Sequence, residues 1–137
     1  MTDLNGARIL IVEDELLIGM MLQSAFEENG ADVLWTQTDR GAYEILDIGG
    51  SQIDLLITDI NLREGTTGFD VARHARTRND RIAVIYLSGE VASAATPFAV
   101  QDACFISKPV TQRKLIEAAV RLIGPPSTIN SAPAEAN

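Results

Sequence analysis

One cysteine, Cys104, is all the thiol chemistry in this chain of 137 residues, so an internal disulfide is excluded and a reducing compartment is the expected setting. Cys104 stands in an apolar run, where a buried core thiol is expected rather than a reactive one. No apolar stretch approaches the roughly 18 residues that a membrane-spanning helix needs. The opening MTDLNGAR has neither a basic flank leading into an apolar block nor a small-residue cleavage pattern. A cytoplasmic protein with no membrane attachment is therefore expected. Positive charge is also short: Lys and Arg number 11 against 19 Asp and Glu, a net charge of -8. That balance disfavours direct nucleic-acid binding, which relies on cationic side chains neutralising phosphates. It leaves cations and basic partner surfaces open. Internal repeats, a helix-turn-helix, zinc-ligand spacing, coiled-coil heptads and a G-x-G-x-x-G after the first apolar run are all absent from the sequence.

What is present is a run of short apolar segments. Arg8 to Val12, Asp54 to Thr58, Ile82 to Leu87 and Ala103 to Ile106 are apolar at nearly every residue, and Asp32 to Thr36 is a weaker fifth. Continuous rather than alternating apolarity predicts strands covered on both faces, as in parallel sheets. Between them the period is helical. Glu15 to Asn29 carries Ile18, Leu22, Ala25 and Phe26 on one stripe and meets Gly30. Asp39 is a candidate N-cap for a helix with Ala42, Ile45 and Leu46 inward. Gly68 to Thr77 supplies Phe69, Ala72 and Ala75, and Thr111 caps a last helix with Leu115, Ala119, Leu122 and Ile123 inward. Pro97 predicts a short or broken helix between Glu90 and Gln101. The pattern predicts one doubly wound α/β domain over residues 7–124. Residues 1–6 are expected as an N-terminal extension, and residues 125–137, small and polar, as a disordered tail.

In an open parallel sheet, functional groups gather at the carboxyl ends of the strands. Here those ends carry Glu13-Asp14, Asp59, Ser88-Gly89 and Ser107-Lys108-Pro109. Taken singly, each has a bland explanation: an acid after a strand is often a helix cap, a Ser a turn residue, a Lys a solvated charge. Taken together they place three carboxylates, a hydroxyl and an ammonium on one edge. Uncompensated, the carboxylates would raise one another's pKa. A hard, oxygen-liking divalent cation such as Mg²⁺ removes that problem and also binds phosphate oxygens. Ser88 and Lys108 then supply a hydrogen bond and a positive charge to a phosphoryl group, and Asp59 becomes the attacking carboxylate.

This joint pattern resembles the receiver domain of two-component response regulators, over roughly residues 7 to 124. The resemblance implies a five-stranded sheet in the flavodoxin-like order 2-1-3-4-5 with helices on both faces. It implies a phosphoprotein of a phosphorelay, whose Asp59 accepts a phosphoryl group from a sensor histidine kinase or phosphotransfer protein. Mg²⁺ would be held by Asp14, Asp59, Glu13 and the backbone carbonyl of Asn61. Ser88 and Lys108 would bind the phosphoryl oxygens, and Gly89 would leave room for the donor. Asn61 and Glu90 would set how fast water removes the group, and Phe105 would be the aromatic that turns inward on switching. The expected molecule is a stand-alone receiver, a monomer or weak dimer, whose state a downstream partner protein reads, and which catalyses only its own phosphorylation and dephosphorylation.

The chain departs from the family at a few points: Glu13 stands where an aspartate is common, and Arg63 where a proline is common. The loop NLREGTTG is about one residue longer than usual, and the Ser88 to Lys108 interval is short. An aspartate-nucleophile phosphatase on a similar sheet is the alternative from another class; it needs a second acid just after the nucleophile, where this chain has Asn61. A phosphorylation-independent docking module is a third reading, against which the complete Asp59, Ser88 and Lys108 set argues. His74 is expected to be a solvated surface residue and Trp35 to serve packing.

Overall fold

The computed structural model describes residues 3–62, 65–89 and 97–124. Five strands, β1 (Arg8–Val12), β2 (Asp32–Thr36), β3 (Leu55–Asp59), β4 (Ala83–Ser88) and β5 (Cys104–Ser107), form one sheet in the order β2-β1-β3-β4-β5. Every pairing is parallel. Four helices are described, α1 (Leu16–Glu28), α2 (Asp39–Gly49), α3 (Gly68–Arg78) and α4 (Gln112–Ile123), with a short 3-10 turn at Gly50–Gln52.

Side chains of successive strand residues point to opposite faces, and the two faces bury separate halves of the core. Ile9, Ile11, Leu55, Ile57, Ile85, Leu87 and Ile106 meet Leu22 and Phe26 of α1 and Leu115 and Ala119 of α4. Leu10, Val12, Leu56, Val84 and Tyr86 meet Ala42 and Leu46 of α2 and Phe69, Ala72 and Ala75 of α3. The apolar runs are continuous because both sets are buried, and the central strand β3 is buried at all of its residues. β2 reads weakest because it is an edge strand and only partly covered.

Several expectations shift by a residue or a face. β3, β4 and β5 each begin and end one position later than their apolar runs, so Asp59 and Ser88 are the last residues of strands rather than the first of loops. The N-cap of α2 is Thr38, whose hydroxyl accepts from the Gly41 N–H, and not Asp39, whose carboxylate is engaged elsewhere. Leu122, expected inward, is 36% exposed. Leu4 in the N-terminal extension is buried, its segment tied by Leu4 N–H to Asn29 O and Gly6 N–H to Gly30 O. Cys104 is half-buried against the core. His74 is not simply solvated: its Nε2 lies 2.7 Å from Asp47 Oδ1 and its ring packs on Tyr43. Of the Glu90 to Gln101 segment, residues 90–96 lie outside the described residues, as do Arg63 and residues 125–137. Among the described residues no helix is long and apolar enough to cross a membrane.

Candidate functional site

Strand register brings the chemistry together. Val12 pairs with Thr58, so Glu13 and Asp14 emerge beside Asp59; Asp59 is level with Leu87, and Ser88 pairs with Ser107, the residue before Lys108. The Lys108 N–H donates to Ser88 O at 2.7 Å, which extends the β4–β5 ladder one residue past the strands and fixes where the lysine leaves the sheet. One carboxylate oxygen each from Glu13, Asp14 and Asp59 lie within 4.8 Å of one another. Lys108 Nζ is 2.8 Å from Asp59 Oδ1 and 3.8 Å from Glu13 Oε1.

Burial makes this cluster electrostatically costly. Glu13 is fully buried and Asp59 nearly so, at 0% and 2% exposure. Glu13 Oε2 accepts from the Glu15 N–H at 3.0 Å. Among the described residues, no hydrogen-bond donor other than Lys108 reaches Glu13 Oε1 or either oxygen of Asp59. Burial is the main cause that pushes the Glu13 carboxyl from 4.5 up to about 8, with the neighbouring Asp59 adding to it and the Glu15 amide and Lys108 opposing. Burial also raises Asp59, against the pull of Lys108. For Lys108 the order of effects reverses the outcome: burial works against its charge, but the contact with Asp59 and the charges of Asp59 and Glu13 outweigh it and raise its pKa. One ammonium is thus set against three carboxylates. A hard cation fits such a set: three carboxylates, of which buried Glu13 and Asp59 carry oxygens that no donor but Lys108 reaches among the described residues.

The other expected residues sit around this centre. Ser88 is buried at the end of β4, and Gly89 follows it, exposed, with no atom of the described residues within 4 Å of where a side chain would be. Asn61 is exposed in the loop after β3. Phe105 is half-buried and packs on Tyr86 of β4, ring centroids 5.1 Å apart, rather than standing in solvent. Tyr86 is fully buried, also packs on Phe69, and accepts from the Val100 N–H at 3.2 Å. Glu90 lies outside the described residues.

Some supports of the site escape a reading of motifs. Trp35 does more than fill space: its Nε1–H donates to Glu13 O at 3.0 Å, while Gln37 Nε2 donates to Asp14 O at 3.1 Å, so the end of β2 holds the acidic pair. The indole fits only because α1 has Gly19 there; a Cβ on Gly19 would stand 2.1 Å from the ring. A glycine inside an otherwise apolar helix was the available signal. Gly68 opens α3 so close to β3 that a Cβ would lie 1.9 Å from Asp59 O, and its N–H donates to Ile60 O at 2.7 Å. Thr67 and Asp70 form a reciprocal capping box around that glycine, a pattern legible as T-x-x-D.

Comparison with known proteins follows the same line. The sequence profile of the response regulator receiver domain matches residues 9–120. The chain is 28% identical over 134 residues to a probable transcriptional regulatory protein of Picosynechococcus sp., covering 93% of this chain and 53% of that protein. It is 31% identical over 110 residues to the response regulator SaeR of Staphylococcus epidermidis, covering 79% of this chain and 46% of that one. The chain spans about half the length of these curated relatives. Among solved structures, a response regulator receiver protein from Sinorhizobium medicae matches with TM-score 0.80 and 30% identity, covering 87% of this chain and 95% of that one. The receiver domain of the hybrid histidine kinase CckA matches with TM-score 0.73 and 26% identity, covering 85% and 98%.

Proposed function

Because the chain belongs to the response regulator receiver domain family, whose members are signalling modules that bind Mg²⁺ in an acidic pocket, we propose that Asp59 is its phospho-acceptor. The donor is a histidine kinase or phosphotransfer protein, the domain is residues 7–124, and a partner protein reads the phosphorylated state. The observation that carries this reading is the buried Asp59 carboxylate, 2.8 Å from one ammonium, with no other donor among the described residues, and beside two further carboxylates. Glu13, Asp14, Asp59 and the Asn61 carbonyl would hold the ion. When bound, Mg²⁺ neutralises the carboxylates and stabilises charge on phosphoryl oxygens. An Asp59 oxygen attacks the phosphorus, the bond from phosphorus to the donor's imidazole nitrogen breaks, and the imidazole leaves with the electron pair. Lys108, kept charged by its neighbours, pairs with the incoming phosphoryl oxygens, and the Ser88 hydroxyl donates to one of them. The site then carries about one more negative charge than before. Drawing Ser88 and Lys108 toward that charge moves the ends of β4 and β5, where Phe105 packs on Tyr86.

A donor protein has to bring its phosphohistidine to this edge of the sheet. The first turns of α1 rise beside the site with Leu16, Leu17 and Met20 exposed at 54%, 79% and 52%. A groove of about 350 Å³ is lined by Ile18 and Met21 of the same helix together with Lys108, Pro109 and Val110. An apolar surface contiguous with the phosphoryl site suits the helical surface of such a donor. The test is incorporation of phosphate from a small acyl-phosphate donor: the reading expects it with Mg²⁺ and not with a chelator, and incorporation indifferent to Mg²⁺ would overturn it.

A further inference from the structure

The loop from Asn61 to Thr67 leaves the acceptor strand and returns to α3. Its base is pinched shut, since the Gly68 N–H donates to Ile60 O and leaves no room for a side chain at Gly68. Leu62 rests against the core. Nothing in the loop's own sequence, NLREGTT, stiffens it: there is no proline, and Gly65 adds freedom. Restraint on its far side has to come from outside the loop.

It comes from α2. Asp39 Oδ2 accepts from both the Thr66 N–H and the Thr66 hydroxyl, each at 2.8 Å, while Oδ1 accepts from the Arg40 N–H at 2.8 Å. One turn along the helix, Tyr43 Oη lies 2.6 Å from Thr66 Oγ1. Gly65, at φ 85°, presses so close that a Cβ would stand 2.4 Å from Asp39 Oδ2, so the contact requires glycine twice over. These donors hold the Asp39 carboxyl below its usual range, the Thr66 amide first among them. The same face of α2 continues to Asp47, whose hydrogen bonds among the described residues go to His74 and Arg78 of α3.

We propose that Asp39 is a positioning residue for the return of the acceptor loop: by holding Gly65 and Thr66 it sets the approach of Thr67 and Gly68, and Gly68 in turn packs against Asp59 O and donates to Ile60 O beside the Asp59 site. The inference rests on the reading of that site as the Mg²⁺ and phosphoryl site. A loop fixed in advance loses less conformational entropy when a cation binds against it.

The test uses the full chain, with Mg²⁺ titrated against the fluorescence of Trp35, the single tryptophan, whose indole N–H is bonded to Glu13 O. Asp39→Ala is expected to weaken Mg²⁺ binding by roughly fivefold to tenfold, the latter about 1.4 kcal/mol, and to speed hydrogen exchange at the Thr66 amide. Asp39→Asn, which keeps an oxygen for that amide, recovers part of both. Asp47→Ala removes the neighbouring α2–α3 contacts and leaves Mg²⁺ affinity at the wild-type value. Thr66→Ala, a smaller perturbation, shows the same direction and decides the matter if Asp39→Ala fails to fold. Wild-type Mg²⁺ affinity in Asp39→Ala, or an equal loss in Asp47→Ala, overturns the proposal. If the affinity difference stands but the wild-type chain takes up no phosphate, the acceptor reading falls and the positioning role survives.

Discussion

Raising the pH from 5 to 8 in the absence of divalent cations should destabilise this protein, against the usual expectation that stability is broadest there. Glu13 titrates at about 8 in the folded chain against 4.5 for the free group. Over that interval the native state holds a proton that the unfolded chain has released, so the native state binds more protons and stability falls as pH rises. Carried through at about 1.4 kcal/mol per unit, the full interval is worth at most roughly 5 kcal/mol. Relaxation of the site around the charged form and an effective dielectric well above that of dry protein reduce this, and roughly 2 kcal/mol is expected to remain. Asp59, also raised, pushes in the same direction. The lowered groups Asp39, Asp47 and Asp70 lose their contributions only as pH falls through the acid range, and raised Lys108 loses its own only above 10.5, both outside the window. Urea unfolding at a series of pH values with a chelator present measures the slope. Glu13→Gln should flatten it and gain stability at pH 8, and excess Mg²⁺ should restore stability to the wild type by binding the native state alone. Stability that is level or rising from pH 5 to 8, or a slope unchanged in Glu13→Gln, would refute the reasoning.

Two glycines give independent checks. Gly68→Ala forces a methyl to within 1.9 Å of Asp59 O, and thermal unfolding should show a loss of about 2 kcal/mol from overpacking against backbone; an unchanged melting temperature would contradict the close approach. Gly19→Ala should displace the indole from Glu13 O, since the new Cβ would stand 2.1 Å from the ring, and the tryptophan emission spectrum should shift; an identical spectrum would contradict the packing of Trp35 on α1.

The sheet was legible because burial on both faces makes its strands continuously apolar, and the gathering of Glu13, Asp14, Asp59 and Lys108 on one edge was legible because every parallel strand ends there. What escaped the sequence depends on contacts between distant segments. Asp39 looks like an N-cap by residue type and position, yet its carboxylate is drawn away to Thr66 and Thr38 caps the helix instead. His74 sits on a polar helix face, and only the fold brings Asp47 and Tyr43 to it. Leu122 has helical spacing for the core but is 36% exposed, while Val120 and Ile123 on either side of it pack on the core. Trp35 reads as filler until the strand order places its indole N–H under Glu13. The loop after Asp59 lacks the proline common in the family, and the hold of Asp39 on Thr66 comes from α2, which no local pattern in NLREGTTG announces.

The central claim is that Asp59 takes the phosphoryl group. Intact-mass measurement after incubation with an acyl-phosphate donor and Mg²⁺, followed by mapping of the modified peptide, tests it most directly. The wild-type chain should gain a single phosphoryl group on Asp59, and Asp59→Asn should gain none while retaining its fold. Equal incorporation in Asp59→Asn, or a modification mapped to another residue, would contradict the account.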